Sequence, residues 1–277
     1  MVIENEQHEK LQVMKFWNKA SCGEDLFLTS SDIEGFEAQK SQRYDLEPYI
    51  KTFANFAEST GKSVLEIGVG LGADHQMFAE AGSDLYGVDL TERAIHFTEA
   101  RLRLFGLSST LATGDAEALD FPANTFDIVY SWGVIHHSPN TKIAVAEIHR
   151  VLKPGGTAKI MIYNKYSFVG YMLWLRYALL KAQPFISLDE IYAKYLESPG
   201  TKAYTERQAR TLFQSFDNVK ISTVLTHGDL LESEAGQRHR GVILSIAKRI
   251  WPRTLIKRFF PKSGLFMLIT AQKAGPS

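Results

Sequence analysis

The chain has 277 residues, of which 45% are hydrophobic, so it can bury a full core as one large domain or as a domain with an added cap. Its 31 basic and 31 acidic side chains cancel, which excludes a global field that would attract nucleic acid. A single cysteine, Cys22, excludes an intramolecular disulfide framework and a cysteine-rich metal site, and we expect no metal.

The first segment, residues 1–45, is predicted to be either a strap packed on the domain or a lid over the site. A secretory signal has an apolar core after a basic start, and this segment does not show that pattern, so we expect a cytoplasmic protein. Trp17, Arg43 and Tyr44 are residue types that stack on a substrate or grip a carboxylate, and they are candidate substrate contacts. An amphipathic helix predicted over residues 47–58 opens the main domain, residues 46–277.

The stretch at residues 63–72 combines a short apolar strand with three glycines at alternate positions, Gly68, Gly70 and Gly72. Glycine here lets the chain turn sharply and lets a ligand approach the backbone. A helix predicted over residues 73–81 puts the loop at a helix N-terminus, on the carboxyl edge of a parallel sheet. Asp89 ends the next apolar segment, about 20 residues after the glycines. At this spacing, nucleotide-binding folds carry an acidic residue that binds the ribose diol. The spacing therefore indicates adenosine.

The glycine pattern leaves two kinds of adenosine ligand open. Gly68, Gly70 and Ala73 also match the looser form of the dinucleotide-binding fingerprint, G-x-G-x-x-A, so an NAD-dependent oxidoreductase stays an alternative. Glu66, two residues before the first glycine, instead suits a ligand with an amino-acid end and a sulfonium. The residues further along the chain favour the second kind.

Another strand end follows a helix predicted over residues 91–104, at Gly114-Asp115. An aspartate there can accept a hydrogen bond from an adenine amino group, while the backbone N–H of Ala116 holds a ring nitrogen. The position repeats the strand-end placement of Asp89, which favours a binding role over that of a turn aspartate.

The fourth predicted strand, residues 126–130, leads into two adjacent histidines, His136 and His137. Each histidine either packs within the fold or acts as a base, because imidazole has a suitable pKa to take a proton at neutral pH. Their place at the carboxyl edge of the sheet favours the base. A helix over residues 141–152 then ends at a Lys-Pro-Gly-Gly terminator, and the fifth strand follows at residues 157–163.

Six motifs occur in order between residues 47 and 163: Glu66-x-Gly68-x-Gly70-x-Gly72, Asp89, Gly114-Asp115-Ala116-Glu117, Phe126-Asp127-x-Val129, His136-His137 and Arg150-Val-Leu-Lys-Pro-Gly-Gly156. Together they resemble the motifs of class I S-adenosylmethionine-dependent methyltransferases, in particular the ubiquinone and menaquinone biosynthesis type. The resemblance implies an α/β fold, a doubly wound, seven-stranded, mostly parallel Rossmann-like sheet with helical additions. It also implies S-adenosylmethionine as the cofactor, and it leaves the acceptor unnamed.

The resemblance implies cofactor contacts position by position. These are Glu66, Gly68, Val69, Gly70 and Gly72 for the methionine end, Asp89 and Leu90 for the ribose, Asp115 and Ala116 for the adenine, and Ser131 for the backbone near the sulfonium. The sulfonium methyl is already activated, so in-line displacement mainly needs a positioned acceptor and excluded water. A hydroxyl acceptor would also need a base, for which His136 and His137 are the catalytic candidates.

An apolar helix predicted over residues 167–180 departs from the family pattern and lies in a helical insertion at 166–204. It is either a core or dimer surface, or a wall of the acceptor pocket, and it is too short to span a bilayer. Trp132, His136, Tyr163 and Tyr166 are further candidate substrate contacts.

A second insertion, at residues 237–263, includes an acid-free stretch, 241–262, with six basic residues among large apolar ones. It suits either an anionic membrane surface or a solvated face whose apolar side chains pack inward. A sixth strand predicted at residues 219–225 and an antiparallel seventh at 265–273 complete the sheet.

We therefore predict methyl transfer to a small lipophilic molecule, with the methylated atom and the oligomeric state left open. The alternatives are an NAD-dependent oxidoreductase and a non-catalytic cofactor-binding protein on the same fold. Nucleic-acid bases are not expected as acceptors, because Ser131-Trp-Gly-Val stands where such enzymes carry an Asn/Asp-Pro-Pro-aromatic motif. Peripheral contact with a membrane is compatible with this prediction.

Overall fold

The computed structural model describes residues 2–232 and 248–275, and these contain one seven-stranded sheet. The strands in chain order are β1 (Ser63–Ile67), β2 (Asp84–Asp89), β3 (Thr110–Thr113), β4 (Phe126–Trp132), β5 (Leu152–Tyr163), β6 (Asp217–Val224) and β7 (Phe266–Gln272). Their order across the sheet is β3-β2-β1-β4-β5-β7-β6. The first five strands pair in parallel, and β7 is antiparallel to β5 and β6. The mostly parallel sheet with an antiparallel seventh strand is confirmed.

Helices pack on both faces of the sheet. In chain order they are α1 (Val2–Trp17), α2 (Glu24–Phe27), α3 (Ile33–Leu46), α4 (Tyr49–Ala54), α5 (Ala73–Glu80), α6 (Glu92–Leu104), α7 (Thr141–Val151), α8 (Phe168–Tyr177), α9 (Leu188–Tyr195), α10 (Glu206–Leu212), α11 (His227–Leu230) and α12 (Arg253–Phe259). Within residues 2–232 and 248–275, no helix combines the length and apolar character needed to cross a bilayer.

Two hydrophobic cores sandwich the central strands, because successive strand residues point to opposite faces. Leu65 and Ile67 of β1 join a core with Ile148 of α7. Val64, the residue before Leu65, points to the opposite face and joins the other core with Phe78 of α5. This burial on both faces leaves the carboxyl ends of the strands as the open edge of the sheet.

The predicted helix over residues 47–58 is broken in two. Asn55 takes a left-handed conformation with φ 46°, which ends α4, and a 3₁₀ turn follows at Phe56–Ser59. Asparagine adopts this conformation more readily than most residues, and the periodic apolar pattern does not reveal it. Asp32 caps α3 and Thr91 caps α6, since each side chain accepts a hydrogen bond from a backbone N–H in the first turn of its helix.

A fully buried arginine, Arg101 of α6, ties the N-terminal helices to the glycine loop. It donates hydrogen bonds to the carbonyl of Leu71 at 2.6 Å, to the carbonyl of Phe36, and to the side chains of Gln39 and Gln76, each at 2.9 Å. Burial lowers the pKa of its guanidinium to about 10. Four acceptors, on two helices and one loop, therefore depend on one side chain.

The two predicted insertions are described to different extents. The apolar helix is α8, capped by Ser167 and followed by a 3₁₀ turn at Leu179–Lys181. Of the acid-free stretch at 241–262, residues 241–247 lie outside the described residues, and the remainder includes α12. The boundaries assigned to the N-terminal strap or lid and to both insertions stay predictions.

Candidate active site

A cavity of about 910 Å³ lies at the carboxyl ends of β1, β2 and β4. Its wall includes Gly68, Asp89 and Gly133, which end or directly follow those strands. Strand β1 pairs with β2 on one side and β4 on the other, so this is the point where the strand order reverses. Open parallel sheets bind ligands at such a point, and the volume lies within the roughly 300–1,000 Å³ of small-molecule sites.

The glycine loop is shaped by two different requirements. Gly68 has φ +84°, and a Cβ there would come within 2.0 Å of Val134. Gly70 also has positive φ, +54°, but a Cβ there would meet nothing within 4 Å. Gly68 is therefore needed for close packing of the chain on itself, whereas the backbone at Gly70 is open to the cavity.

Glu66, on β1 directly before this loop, presents a carboxyl to the cavity while only 2% of the residue is exposed. Its Oε2 lies 2.8 Å from Nδ1 of His75. Burial and the neighbouring charge of Asp74 hold the pKa of Glu66 well above its usual range, and burial lowers the pKa of His75 to about 3. A cation placed against Glu66 would favour its ionised form.

Asp89 ends β2 with both carboxylate oxygens in use. Oδ2 accepts a hydrogen bond from the backbone N–H of Gly70 at 3.2 Å, and Oδ1 accepts from the N–H and hydroxyl of Thr91, each at 2.9 Å. Its pKa is raised, chiefly by burial. The carboxylate is thereby fixed at the cavity wall, beside the loop, where a ribose diol can donate to it.

Asp115 lies on the same wall and is bonded to the N-terminal helix. Nζ of Lys10, in α1, lies 2.5 Å from Asp115 Oδ2 and 2.8 Å from Glu117 Oε2. These two hydrogen bonds raise the pKa of Lys10 against the opposing effect of desolvation. Residues 1–45 therefore reach the predicted adenine position, and α1 contributes Lys10 and Trp17 to the cavity wall.

Arg43 and Tyr44 bind a carboxylate of the protein itself. The guanidinium of Arg43 donates to both oxygens of Asp74, at 2.7 and 3.1 Å, and the Tyr44 hydroxyl lies 3.0 Å from Oδ1. Tyr130 donates to the same carboxylate at 2.9 Å. Arg43 and these hydroxyls keep the pKa of Asp74 below its usual value despite burial. Through these hydrogen bonds to Asp74, Arg43 fixes α3 against the start of α5.

Of the two adjacent histidines, His137 is the one that reaches the cavity wall. Its Nδ1 lies 2.8 Å from the hydroxyl of Ser198 and 3.0 Å from that of Thr201, and its Nε2 lies 3.3 Å from a carboxylate oxygen of Glu197. The Tyr163 hydroxyl donates to that same oxygen at 2.6 Å. One ring nitrogen is thus held by hydroxyls, and the other faces a carboxylate that can stabilise an imidazolium.

His136 is fully buried behind the wall. Neither of its ring nitrogens has a hydrogen-bond partner among the described residues, and its ring centre lies 4.0 Å from that of Tyr163. Burial holds its pKa well below the usual range, so the ring is neutral.

One ligand atom from each of His136, His137 and Glu197 lies within 4.8 Å of the others, so these three residues form a set that could hold a metal ion.

Most predicted site residues line the cavity: Trp17, Arg43, Glu66, Gly68, Val69, Gly70, Gly72, Asp89, Leu90, Asp115, Ala116, Trp132, His137 and Tyr163. Four others are not part of this wall: Tyr44, Ser131, His136 and Tyr166. The first three are buried behind it, and Ser131 was expected to act through its backbone. Tyr166 is 52% exposed, because the chain leaves the sheet edge after Tyr163 on its way to α8.

The far end of the cavity is apolar. It is formed by α8, by the segment around Trp251 and by the start of β7, with Val169, Met172, Leu173, Leu175, Trp251, Leu265 and Phe266 in the wall. Arg176, Lys248 and His227 also line this end. The apolar helix predicted after the fifth strand therefore does contribute to the cavity wall.

Sequence reasoning missed Glu197 and the hydroxyls that hold His137. Glu197 lies in a turn after α9, 60 positions beyond His137, and no spacing rule connects the two. The signal available was a Glu-Ser-Pro-Gly-Thr turn, in which polar groups follow an amphipathic helix. Such a turn is ordinary on a surface, so its place at the active site emerges from the fold.

Known proteins match this chain in the region that forms the sheet edge. Residues 65–160 match a family model described as a methyltransferase domain. Demethylmenaquinone methyltransferase of Tropheryma whipplei is 29% identical over 142 residues, 50% of this chain and 58% of that protein. Fatty-acid O-methyltransferase of Mycolicibacterium smegmatis is 34% identical over 122 residues, 43% of each protein. The chain thus spans about half the length of these curated relatives.

One solved structure extends the likeness to the whole fold. Haemonchus contortus phosphoethanolamine N-methyltransferase 2, in complex with phosphomonomethylethanolamine and S-adenosylhomocysteine, superposes with a TM-score of 0.59 at 18% identity. The match covers 95% of this chain and 60% of that one, and at this identity it shows the fold. The Rossmann-like fold, the resemblance to quinone-biosynthesis methyltransferases and S-adenosylmethionine as the family's cofactor are confirmed.

Proposed function

Because residues 65–160 match a methyltransferase domain, we propose that this chain transfers a methyl group from S-adenosylmethionine to a small lipophilic acceptor inside the cavity. The observation that carries the proposal is the cavity itself, which joins the glycine loop to an apolar wall. A polar cofactor at one end and an apolar acceptor at the other would meet near His137, which lines the same space.

The polar end fits each part of S-adenosylmethionine. The amino-acid end would be held at Gly70, whose backbone is open to the cavity, with its ammonium near the buried carboxyl of Glu66. Asp89 would hold the ribose diol, and Asp115 with the backbone of Ala116 would hold the adenine. Bound there, the cofactor supplies a methyl group that is already activated for displacement.

The protein's own residues then orient the acceptor and exclude water. Trp132 and Phe266 pack together with their ring centres 5.7 Å apart, and both line the cavity. Tyr163 stacks on Phe266 at 5.8 Å and closes the same side. A flat aromatic or chain-like acceptor held against these rings would present one atom toward the cofactor end, which is the arrangement that in-line transfer needs.

His137 is our candidate base for an acceptor that must lose a proton. Ser198 and Thr201 fix the ring through Nδ1, so Nε2 is the atom that would take the proton. The carboxylate of Glu197, 3.3 Å away, would stabilise the imidazolium that results. We assign the role to His137 rather than His136, because His136 does not reach the wall.

The lipophilic class of acceptor rests on the apolar far end of the cavity. The relatives include enzymes named for demethylmenaquinone and for fatty acids, whose names match that chemistry. These names describe acceptors of other proteins, and the shared chemistry that we carry over is an apolar body with one nucleophilic atom.

Calorimetry with S-adenosylmethionine, S-adenosylhomocysteine and NAD in parallel tests the cofactor, and we expect the first two to bind. Incubation with methyl-labelled cofactor and separate organic and aqueous cell extracts then tests the acceptor. We expect label in an organic-phase product. Label confined to water-soluble products would contradict a lipophilic acceptor, and cofactor binding without turnover in any extract would support the non-catalytic alternative.

A further inference from the structure

The apolar end of the cavity is surrounded by exposed hydrophobic side chains. Among the described residues, ten of the fourteen large hydrophobic side chains that are exposed lie in two stretches, 166–185 and 248–262. They are Tyr166, Tyr171, Leu175, Leu179, Leu180, Phe185, Ile250, Leu255, Phe259 and Phe260. Phe185 is 99% exposed and Ile250 75%. We call the two stretches together the basic apolar face.

The charge of this face has a single sign. Its residues include no aspartate or glutamate and eight cations: Arg176, Lys181, Lys248, Arg249, Arg253, Lys257, Arg258 and Lys262. The whole chain carries equal numbers of acids and bases, so the positive charge is local. Arg253 donates to backbone carbonyls and Lys257 pairs with Glu232 at 2.8 Å, which leaves the net sign unchanged.

The two stretches meet at one place in the fold. Phe168 of α8 has its ring centre 6.1 Å from that of Trp251 and 5.9 Å from that of Phe260. Both stretches also line the cavity. Leu175 and Leu180 are at once cavity-lining and exposed, by 46% and 68%, so they mark its opening.

We propose that the basic apolar face docks on the surface of an anionic lipid bilayer and that the acceptor enters the cavity there. The apolar residues would insert among the lipids at headgroup level, and the cations would pair with anionic headgroups. The expectation that apolar residues pack inward does not hold for Ile250, Leu255, Phe259 and Phe260, which are exposed. The entry route rests on the proposed function, whereas the lipid contact stands on the face alone.

Co-sedimentation of the full chain with vesicles tests the contact. The vesicles are phosphatidylcholine alone and phosphatidylcholine with phosphatidylglycerol, each in low and high salt. We expect binding to the anionic vesicles in low salt, weakened by salt because surface charges are screened. Removing two cations with R258Q and K262Q together should weaken it about tenfold.

Variants of the apolar part, I250D and F185D, should also reduce vesicle binding by about tenfold or more. Matched controls lie on α7, where Lys142 and Ile143 are likewise exposed, and K142E and I143D should bind vesicles as the wild type does. Cofactor affinity, measured by calorimetry, should stay unchanged in all variants, which shows that they fold.

Failure to bind anionic vesicles in low salt, with cofactor binding intact, would overturn the lipid contact and leave the proposed function standing. Equal losses in the α7 controls would also overturn it. Light scattering gives a further outcome: a wild-type dimer that F185D converts to a monomer, without any vesicle binding, would assign the face to a second copy of the chain instead.

Discussion

The two ends of the cavity are held in place by different forces. At the cofactor end, Glu66, Asp74 and Asp89 are fixed by directional hydrogen bonds to His75, Arg43 and the glycine loop. At the acceptor end, side chains such as Leu173 and Phe266 contribute apolar contacts. Polar contacts of this kind restrict chemistry and geometry, whereas apolar walls tolerate changes of shape at nearly constant volume.

This difference explains how one fold can serve different acceptors. Substitutions on α8 or near Trp251 alter the apolar wall without touching the hydrogen bonds that shape the cofactor end. The family model matches residues 65–160, which contain the ends of β1, β2 and β4 but not α8. The acceptor end is thus the part of the molecule free to diverge.

The largest effect is expected at His137, where the two ends meet. For a hydroxyl acceptor, H137A should lower kcat by about 10²–10⁴ while leaving cofactor affinity unchanged, because it removes a base. H136A is the control, and its kcat should stay closer to that of the wild type. Label transfer to the acceptor measures kcat, and wild-type turnover of H137A at every pH tested would mean that His137 is not the base.

The next effect is on the scaffold of the cofactor end. R101M should lower the free energy of unfolding by about 3 kcal/mol, because it leaves four buried acceptors without their donor. R103M, an exposed position on the same helix, is the matched control and should cost little. Urea unfolding measures both, and equal stabilities would refute the structural role given to Arg101.

A smaller effect is expected when one polar cofactor contact is removed. D89A should weaken the affinity for S-adenosylmethionine by about 1–3 kcal/mol, because a ribose hydroxyl and the N–H of Gly70 lose their acceptor. D84A changes an exposed aspartate at the other end of β2 and should have no effect. Calorimetry decides, and unchanged affinity in D89A would refute the assignment of the ribose to this residue.

The smallest effect concerns pH. The raised pKa of Glu66 keeps it protonated at a pH where an exposed glutamate is ionised, and a cationic amino-acid end favours the ionised form. Cofactor affinity should therefore rise with pH as Glu66 loses its proton, and E66Q should abolish this rise. Calorimetry over a neutral to mildly alkaline range measures it, and the same pH slope in both proteins would contradict contact with Glu66.

The cofactor end could be predicted from sequence because its residues obey local spacing. Strand ends and the turns after them fix Gly70, Asp89 and Asp115 within short distances along the chain. The contact between Arg43 and Asp74 could not be predicted in the same way, since it depends on how α3 docks against α5. Arginine in an N-terminal helix suggested a substrate carboxylate, and the fold supplies a carboxylate of its own.

The base and the acceptor end were predicted only in part. The adjacent histidines gave no sign of which ring faces the cavity, because a shift of one residue in the loop would exchange the directions of the two side chains. Glu197, which distinguishes them, comes from the turn after α9. An apolar helix after β5 was foreseen, but its exposed residues and its opening to the cavity depend on contacts with the segment around Trp251.

The ion pair of Lys10 with Asp115 links the residence time of the cofactor to the N-terminal helix. With the adenine at Asp115 as proposed, it would compete with Lys10 for one carboxylate, and cofactor binding would then weaken the contact that holds α1. Both partners are about a quarter exposed, at 27% and 29%, and salt therefore weakens the competitor more than it weakens a buried contact. The affinity for the cofactor should accordingly depend on ionic strength, which calorimetry in low and high salt would measure.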